Sequence, residues 1–265
     1  MSASEPLTGL NCPRCGGIVP IPEGEVIVKC PYCELNSTVK GEKGVRRYQV
    51  PARVNLEQAQ AAFQSFVKSS LSIAPSVRRE AKISEAFQVF LPFWAGWGRA
   101  LAWGFGQKRV GSGDNKRWEA RESKVIRDMS WNAAACDVGE FGVTQVSLEG
   151  RPLTAFKPDE LHAAGMVFEP SGSAEEALGR AKMEFENRAR QETGLDRISQ
   201  LFVHIVRPRL GMVYYPLWVL RYTFRGRVFQ VVVDGYSGEV MYGKAPGSVG
   251  FRAATLVGGM AGGAF

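Results

Sequence analysis

A chain of 265 residues that is 45% apolar can bury a substantial core, which excludes a disordered polymer. Its five cysteines are too few, and four of them too clustered, for a disulfide-stabilised secreted domain, so a reducing, cytoplasmic compartment is expected. The net charge is +7, and residues 45–125 carry 14 basic and 6 acidic side chains. Such a basic segment can contact nucleic acid, anionic lipid or acidic protein, or can simply be solvated.

Two Cys-x-x-Cys pairs, Cys12–Cys15 and Cys30–Cys33, are the most informative feature of the sequence. The tight turn of each pair points both sulfurs the same way, so four thiolates can complete a tetrahedral shell, which suits zinc. Four protein ligands leave no open coordination position, so the predicted Zn²⁺ is structural. A segment of about forty residues buries too little core by itself, and the metal supplies the missing stability.

Residues 1–44 are therefore predicted to form a zinc ribbon. Strand-like segments IVPI at 18–21 and VIVK at 26–29, with a Pro-Glu-Gly-Glu turn between them at 22–25, predict a β-hairpin with one cysteine knuckle at each end. In the second knuckle Glu34 stands where glycine is commoner. A redox role is disfavoured, because neither pair opens a helix within a thioredoxin-like βαβ pattern.

Residues 45–150 are predicted as a first α+β unit. Asn55 can cap a helix over residues 56–71, where apolar residues recur at helical spacing. Residues 83–105 predict apolar strand, residues 109–124 a polar insertion in the form of a long hairpin loop or a mobile excursion, and residues 124–138 a return to strand.

Residues 151–250 are predicted as a second α+β unit, a helix followed by an antiparallel meander. Ser173 with Glu176 three residues later has the pattern of a capping box, and the helix is expected to end near Gly194. The predicted strands, with a tight Arg-Gly-Arg turn among them, cover residues 199–208, 212–224, 228–235 and 239–243. An apolar tail, 251–265, completes the chain.

The two α+β units echo one another. Each has a helix, then apolar strands that contain a Pro-aromatic-Trp or Pro-Leu-Trp motif, in LPFWAGW at 91–97 and YPLWVLRY at 215–222. A degenerate duplication would account for this. The predicted fold class is thus α+β, a zinc ribbon followed by one or two helix-plus-antiparallel-sheet units.

The segment YYPLWVLRYTFRGRVFQVVVDGYSGEVMYG, residues 214–243, resembles the C-terminal part of a PepSY-type unit. Such a unit pairs a helix with a small antiparallel sheet and ends in a hairpin similar to VVVDGYSGEV at 231–240. In the Asp-Gly-x-x-Gly turn of that hairpin, Asp234 can bond the backbone two residues on, and both glycines are expected at positive φ.

With its ribbon, the whole chain also resembles a group of bacterial zinc-ribbon proteins that are often labelled primosomal-helicase-like. Some are similar to membrane-anchored partners of phage-shock and SPFH-type membrane-stress proteins, which implies work at the cytoplasmic face of a membrane. In such relatives hydrophobic spans follow the shared segments, whereas here thirteen uncharged residues follow Arg252, short of the ~20 that span a bilayer. No Walker A motif or helicase signature is present.

Catalytic patterns are missing from the sequence, which contains neither G-x-S-x-G nor H-E-x-x-H. His204 is expected in a strand as a paired or edge residue, and His162 on the surface of a short helix. Cys136, between alanine and aspartate, is expected to be buried and inert. We therefore expect no enzymatic activity.

Six tryptophans interleave with basic residues. Trp94, Trp97 and Trp218 lie in apolar strands and are predicted as core, whereas Trp118 has charged neighbours and is expected to be exposed. An exposed tryptophan among cations can enter a partner pocket or a membrane interface. The candidate partner-binding residues are Lys116, Arg117, Trp118 and Arg121.

Two functions follow from these features. The leading hypothesis is a non-enzymatic adaptor or scaffold with a structural zinc site that binds a partner protein, such as a membrane-stress or SPFH-type protein, at the cytoplasmic face of a membrane. The alternative is a nucleic-acid-binding zinc-ribbon protein that uses the basic 45–125 segment.

Overall fold

The computed structural model describes residues 10–20, 27–38, 45–69 and 73–247. The chain divides into two compact units, Met1–Arg47 and Tyr48–Phe265. The described residues form the predicted mixed α+β fold, with four α-helices and one large sheet. The predicted apolar tail, 251–265, lies outside the described residues.

The N-terminal unit contains two small antiparallel sheets. Strand β1 (Leu10–Asn11) pairs with β2 (Ile18–Val19), and β3 (Ile27–Lys29) pairs with β4 (Asn36–Thr38). The predicted hairpin between residues 18–21 and 26–29 is therefore wrong in its pairing for the residues described, because each cysteine turn reverses the chain and pairs its own flanking strands. The predicted turn at 22–25 lies outside the described residues.

The second unit is built on an eight-stranded sheet. Its strands are β5 (Arg46–Gln49), β6 (Lys82–Val110), β7 (Arg117–Ala134), β8 (Thr154–Ala155), β9 (Met166–Val167), β10 (Arg197–Phe224), β11 (Arg227–Asp234) and β12 (Val240–Gly243). The helices are α1 (Leu56–Ser69), α2 (Val77–Glu80), α3 (Pro158–Ala164) and α4 (Ala174–Glu192).

Two very long strands organise this sheet. Strands β6 and β10 pair antiparallel from Thr223 opposite Lys82 to Arg197 opposite Gln107, which at about 3.3 Å per residue spans about 85 Å. Strand β7 pairs with the second half of β6, and β11 with the end of β10. We call the three-stranded part the arm, comprising residues 97–110, 117–130 and 197–209, and the remaining sheet the body.

Two predictions are wrong in the part of the sheet that forms the arm. The polar segment 109–124 is not an insertion, because β6 continues to Val110 and β7 begins at Arg117 after a short turn. Its polar residues belong to a narrow sheet with exposed surface on every strand. The separately predicted strands at 199–208 and 212–224 are one strand, β10, with a register shift between Val206 and Arg209.

Both predicted helix starts are confirmed by side-chain caps. Asn55 Oδ1 accepts from Gln58 N at 2.9 Å, while Gln58 Oε1 accepts from Asn55 N at 2.9 Å, so the two residues form a reciprocal capping box. Ser173 Oγ accepts from Glu176 N at 3.1 Å, and α4 ends just before Gly194. The last two predicted residues of α1, 70 and 71, lie outside the described residues.

The two long helices cover different parts of one sheet face. On the body, α1 packs Phe63 and Val67 against Tyr222. On the arm, α4 buries one stripe of small and aromatic residues, Ala177, Ala181, Phe185 and Ala189. The approach of α4 is close, because a Cβ at Gly96 would lie 2.8 Å from the Ala181 Cβ.

The opposite face is covered on the body alone. The segment after β7 packs Val138, Phe141, Val143 and Val146 against Leu91, Phe93 and Tyr215. On the arm this face carries the side chains that alternate with those under α4, and they are exposed or half-buried. We call this surface of the arm the open face.

The two sequence motifs that suggested a duplication cross at the centre of the sheet, where Pro92 lies opposite Tyr214 and Pro216 opposite Phe90. A helix, a long strand and a hairpin strand occur twice in succession, as α1–β6–β7 and α4–β10–β11. This approximately two-fold arrangement supports a duplication. The boundary near residue 150 stays a prediction, and both predicted units contribute strands to the same sheet.

A buried polar network closes the body around the β11–β12 turn. Asp234 Oδ2 accepts from Arg151 Nη2 at 2.8 Å and from the Tyr215 hydroxyl at 2.8 Å. Asp234 Oδ1 accepts from Tyr236 N at 2.7 Å, which confirms the predicted bond two residues on. The side chains of Arg151 and Asp234 are only 10% and 4% exposed. The carboxylate is therefore fully paired, and burial raises the pKa of Tyr215, which the bond to Asp234 raises further.

The two glycines of that turn serve different purposes. Gly238 takes the predicted positive φ of 80°, whereas Gly235 does not. At Gly235 a Cβ would lie 2.8 Å from the Pro216 carbonyl oxygen, so this glycine permits close backbone approach. The expectation of positive φ at both positions is wrong for Gly235.

Replacing Arg151 with alanine should lower the free energy of unfolding by about 3–5 kcal/mol, because the Asp234 carboxylate would be left buried without its cation. Urea unfolding of the purified chain measures this. The control is Arg99→Ala, which removes an ion pair whose side chains are 56% and 74% exposed and should cost less than about 1 kcal/mol. Equal losses in both variants would contradict the importance of burial.

Replacing Phe185 with alanine should cost about 3–5 kcal/mol, because its fully buried ring fills the space between α4 and the arm. Met183→Ala on the same helix is the control, since that side chain is 60% exposed. Thermal unfolding followed by circular dichroism compares the two. A Phe185 variant as stable as the Met183 variant would show that α4 does not depend on this contact.

Candidate metal centre

The two Cys-x-x-Cys turns have the same backbone geometry. In the first, Gly16 N donates to Cys12 O at 2.9 Å, and in the second, Glu34 N donates to Cys30 O at 3.0 Å. The short strands on either side of each turn pair with one another and hold its ends together. Local sequence therefore shapes each knuckle independently.

The structure brings all four predicted ligand sulfurs together. Cys12 Sγ lies 3.6 Å from Cys33 Sγ, and Cys15 Sγ lies 3.7 Å from Cys30 Sγ. All four sulfurs lie within 4.8 Å of one another, and no disulfide joins them. An ion bonded to four sulfurs at about 2.3 Å needs tetrahedron edges of about 3.8 Å. The cluster can therefore hold one metal ion.

Backbone N–H groups prepare one of the ligands. Hydrogen bonds from the backbone N–H groups of Arg14 and Cys15 lower the pKa of Cys12 to about 6. The thiolate is the form that binds metal, so this environment favours metal binding by Cys12 near neutral pH. The N–H groups of a tight turn supply this stabilisation without any charged side chain. At Cys33 a backbone hydrogen bond from Leu35 lowers the pKa, but desolvation and the other three cysteines outweigh it and raise the pKa.

Among the described residues of this unit, the hydrophobic core consists largely of the clustered cysteines. The buried cluster contains Cys12, Val19, Val28 and Cys30, with Cys33 and Leu35 packed at its edge. Two valines beside two thiols bury far too little apolar area to offset the conformational entropy of the segment. The geometry of this unit thus depends on whatever joins the four sulfurs.

Glu34 is a strained point in the second knuckle. It has a φ of 60°, close to the 71° of Gly16 at the equivalent position of the first knuckle. A left-handed backbone is costly for residues with a Cβ, and the Glu34 side chain makes only an exposed ion pair with Lys29 at 3.2 Å.

Replacing Glu34 with glycine should stabilise the metal-bound unit by about 1 kcal/mol, because it relieves the left-handed strain. Chelator competition should then show metal held about fivefold more tightly. Glu34→Ala is the control, since it removes the ion pair and keeps the Cβ. Tighter binding in the alanine variant as well would contradict the role of backbone strain.

The other candidate reactive residues are separate from this cluster. Cys136 is half-buried and not fully buried as expected. Burial and the neighbouring Asp137 raise the pKa of Cys136 to about 11, which disfavours the reactive thiolate. His162 lies in α3, and His204 is an exposed residue of β10. Within the described ranges, the four cysteines are the only group of three or more metal-binding side chains.

The candidate partner-binding residues do not form one cluster. Trp118 is 40% exposed, as expected, and the Arg197 guanidinium lies 3.9 Å from its ring centroid. Arg117 and Arg121 both pair with Glu119, at 2.8 Å and 3.0 Å. Strand alternation places Trp118 on the open face and these two arginines on the other, while Lys116 lies in the preceding turn.

Of the three tryptophans predicted as core, Trp94 is buried, whereas Trp97 and Trp218 are half-buried beside the body clusters. Trp218 Nε1 donates to the Val54 carbonyl at 2.7 Å. Sequence reasoning missed the exposed residues Trp103, Ile126 and Phe202, which are 46%, 71% and 60% exposed. The only indication of these residues in the sequence is the alternation of side chains between the two faces of a strand. That alternation does not predict which face of the sheet another element covers.

No known family, curated protein or solved structure matches this chain. No helix in the described part of the chain is long and apolar enough to cross a bilayer. Functional inference therefore starts from the chemistry of the residues, above all from the four sulfurs.

Proposed function

We propose that the N-terminal unit is a zinc ribbon in which Cys12, Cys15, Cys30 and Cys33 hold one structural Zn²⁺, and that the whole protein is a non-enzymatic adaptor. The observation that carries this proposal is the clustering of four sulfurs, two from each knuckle, within 4.8 Å. An all-sulfur tetrahedral donor set suits zinc better than magnesium or calcium, which prefer oxygen ligands.

The role of the metal follows from the ligand count. Bound zinc would cross-link the two knuckles and neutralise their thiolates, and four protein ligands would leave no position for a substrate. The described unit has almost no core besides its ligands, so metal binding and folding are coupled. Such a site fixes the shape of a surface that other molecules can recognise.

The adaptor role extends the family resemblance. A helix, a long antiparallel sheet and the VVVDGYSGEV hairpin, with Asp234 held by Arg151 and Tyr215, support a PepSY-like second unit. By the same resemblance the partner is a membrane-stress or SPFH-type protein, bound at the cytoplasmic face of a membrane.

Metal analysis tests the first part of the proposal. The purified chain should contain one zinc ion per molecule, and Cys12→Ser should lower the zinc content and unfold the N-terminal unit. Cys136→Ser is the matched control, because that thiol lies outside the cluster, and it should keep the full zinc content. Substoichiometric zinc in the wild-type chain, with the unit still folded after chelation, would overturn the proposal.

Co-purification from native cells tests the second part. A zinc-deficient Cys12→Ser/Cys15→Ser chain should lose at least one protein partner that the wild-type and Cys136→Ser chains retain. An identical partner set in all three chains would remove the ribbon from partner binding. Quantitative mass spectrometry with the same amount of each bait makes the comparison.

The nucleic-acid alternative has one specific observation in its favour. Aromatic rings and cations share the open face, where Lys124 lies 4.9 Å from the Trp103 ring centroid and Arg197 lies over Trp118. Titration with labelled single- and double-stranded oligonucleotides at low and high salt decides this alternative. Affinity should fall steeply with salt if phosphates are bound, and an absence of binding at low salt removes it.

A further inference from the structure

The open face of the arm has an apolar centre. Across the three strands, Phe202 lies opposite Trp103, which lies opposite Lys124, and the next row joins His204, Leu101 and Ile126. These residues line a shallow groove of about 360 Å³ whose walls are almost entirely apolar. Ile126 is 71% exposed and Phe202 is 60% exposed. A contiguous patch of this kind marks a contact surface.

Every carboxylate in the central rows of the open face is already paired. Asp128 accepts two hydrogen bonds from Arg99, at 2.7 Å and 2.8 Å. Glu122 pairs with Lys124 at 3.0 Å and accepts from Trp103 Nε1 at 2.8 Å. These pairs cancel their own charges and add no net potential to the surface.

The guanidinium groups of four arginines on this side of the arm have no carboxylate partner among the described residues. The backbone N–H of one of them, Arg109, donates to Asp196 Oδ2 at 2.7 Å, so this carboxylate also lies near the tip. Arg109 and Arg197 lie beside Trp118 near the tip of the arm. Arg207 and Arg209 lie beside Trp97 near the body. The Trp97 and Gln107 rows are ten residues apart along β6, or about 33 Å. The apolar centre thus lies between two cationic ends, each with a tryptophan.

A β-bulge creates the cationic end near the body. Arg207 and Pro208 together lie opposite Gly98, and Arg207 takes a left-handed φ of 48°. As a result Val206, Arg207 and Arg209 all line one pocket of about 660 Å³, although regular alternation would place Val206 and Arg207 on opposite faces. Bulges of this kind re-aim side chains at functional sites.

We propose that the open face docks on a membrane surface that contains anionic phospholipids. The apolar centre enters the boundary between headgroups and acyl chains, and the arginine pairs at the two ends bind lipid phosphates. Tryptophan at each end fits the interface, where its amphipathic ring is favoured. The inference deepens the proposed function by assigning a surface to the membrane contact, and it rests on that function only for its cellular setting.

Charge distinguishes this occupant from a second copy of the chain. In a face-to-face dimer the cationic ends would meet cationic ends, whether the two arms ran parallel or antiparallel, because both ends carry unpaired arginines. The apolar centre of the open face favours a membrane over nucleic acid as the occupant. Ile126 and Leu101, which lie side by side in the groove, offer no ring for base stacking.

Vesicle co-sedimentation of the zinc-loaded full chain tests the proposal. The wild-type chain should bind phosphatidylcholine vesicles that contain phosphatidylserine and bind pure phosphatidylcholine vesicles much more weakly. Arg207→Asn/Arg209→Gln should weaken binding about 30-fold, because each arginine near an anionic surface contributes about fivefold. Asparagine is chosen at position 207 because it tolerates a left-handed backbone.

Matched controls lie outside the open face. Arg225 has a φ of 49°, and Arg227 follows it by two residues, so Arg225→Asn/Arg227→Gln removes two positive charges away from the open face. It also removes the exposed ion pair of Arg225 with Glu80 at 3.1 Å. For the apolar centre, Ile126→Ser/Phe202→Ser should weaken binding at least about tenfold. Its control is Val228→Ser/Met183→Ser, two side chains that are 65% and 60% exposed. Both controls should bind as the wild type does.

Three results would overturn the proposal. The first is that the wild-type chain does not bind anionic vesicles at low salt. The second is that the test and control variants lose the same amount of vesicle binding. The third is that the Ile126→Ser/Phe202→Ser chain loses vesicle binding only when circular dichroism shows that it has also lost its fold. Tight oligonucleotide binding that this pair of substitutions abolishes while vesicle binding persists would assign the face to nucleic acid. A dimer that they dissociate, with vesicle binding unchanged, would assign it to a second copy.

Failure here is distinguishable from failure of the proposed function. Vesicle binding depends on the arm and is measured with every chain loaded with zinc, whereas zinc content and partner capture depend on the ribbon. A chain with one zinc and a ribbon-dependent partner but no vesicle binding would keep the adaptor and lose only this surface.

Discussion

The antiparallel pairing of β6 with β10 is the interaction on which the second unit depends. Because both strands are far longer than the body they cross, their pairing continues beyond it and creates the arm. It brings two similar sequence motifs together at the centre of the sheet and lets α1 and α4 cover one face in different places. It also leaves one face of the arm with an apolar surface that no described residue covers.

The N-terminal unit depends on a different kind of constraint. In the described part of this unit, the two short hairpins bury two valines and two cysteines, and the four clustered sulfurs are placed to join the hairpins. Each knuckle can form locally, because backbone hydrogen bonds within the turn orient its own cysteine pair. The four sulfurs can hold one ion between the two knuckles, and in that arrangement metal binding and folding are coupled.

The charged side chains of the second unit form either a buried network or exposed ion pairs, and the two have different effects. Asp234, with Arg151, Tyr215 and its own turn, is a closed network that fixes the hairpin against the body. The ion pairs of the open face are exposed and add little stability. Their effect is to decide which arginines remain without a carboxylate, and so where an anion can be bound.

The sequence by itself determined the cysteine cluster, both helix caps, the bond of Asp234 to its own turn and the α+β class, because each depends on local patterns of neighbouring residues. Tertiary structure decided what local patterns cannot. The polar residues after Arg109 became strand because a partner strand was present, and the bulge at Arg207 turned three residues into one pocket. Alternation in β6, β7 and β10 marked two faces, but only the position of α4 decided which became core and which stayed open. Whether a strand residue is buried depends on which element packs against its face of the sheet, and the residues of the strand do not specify that element.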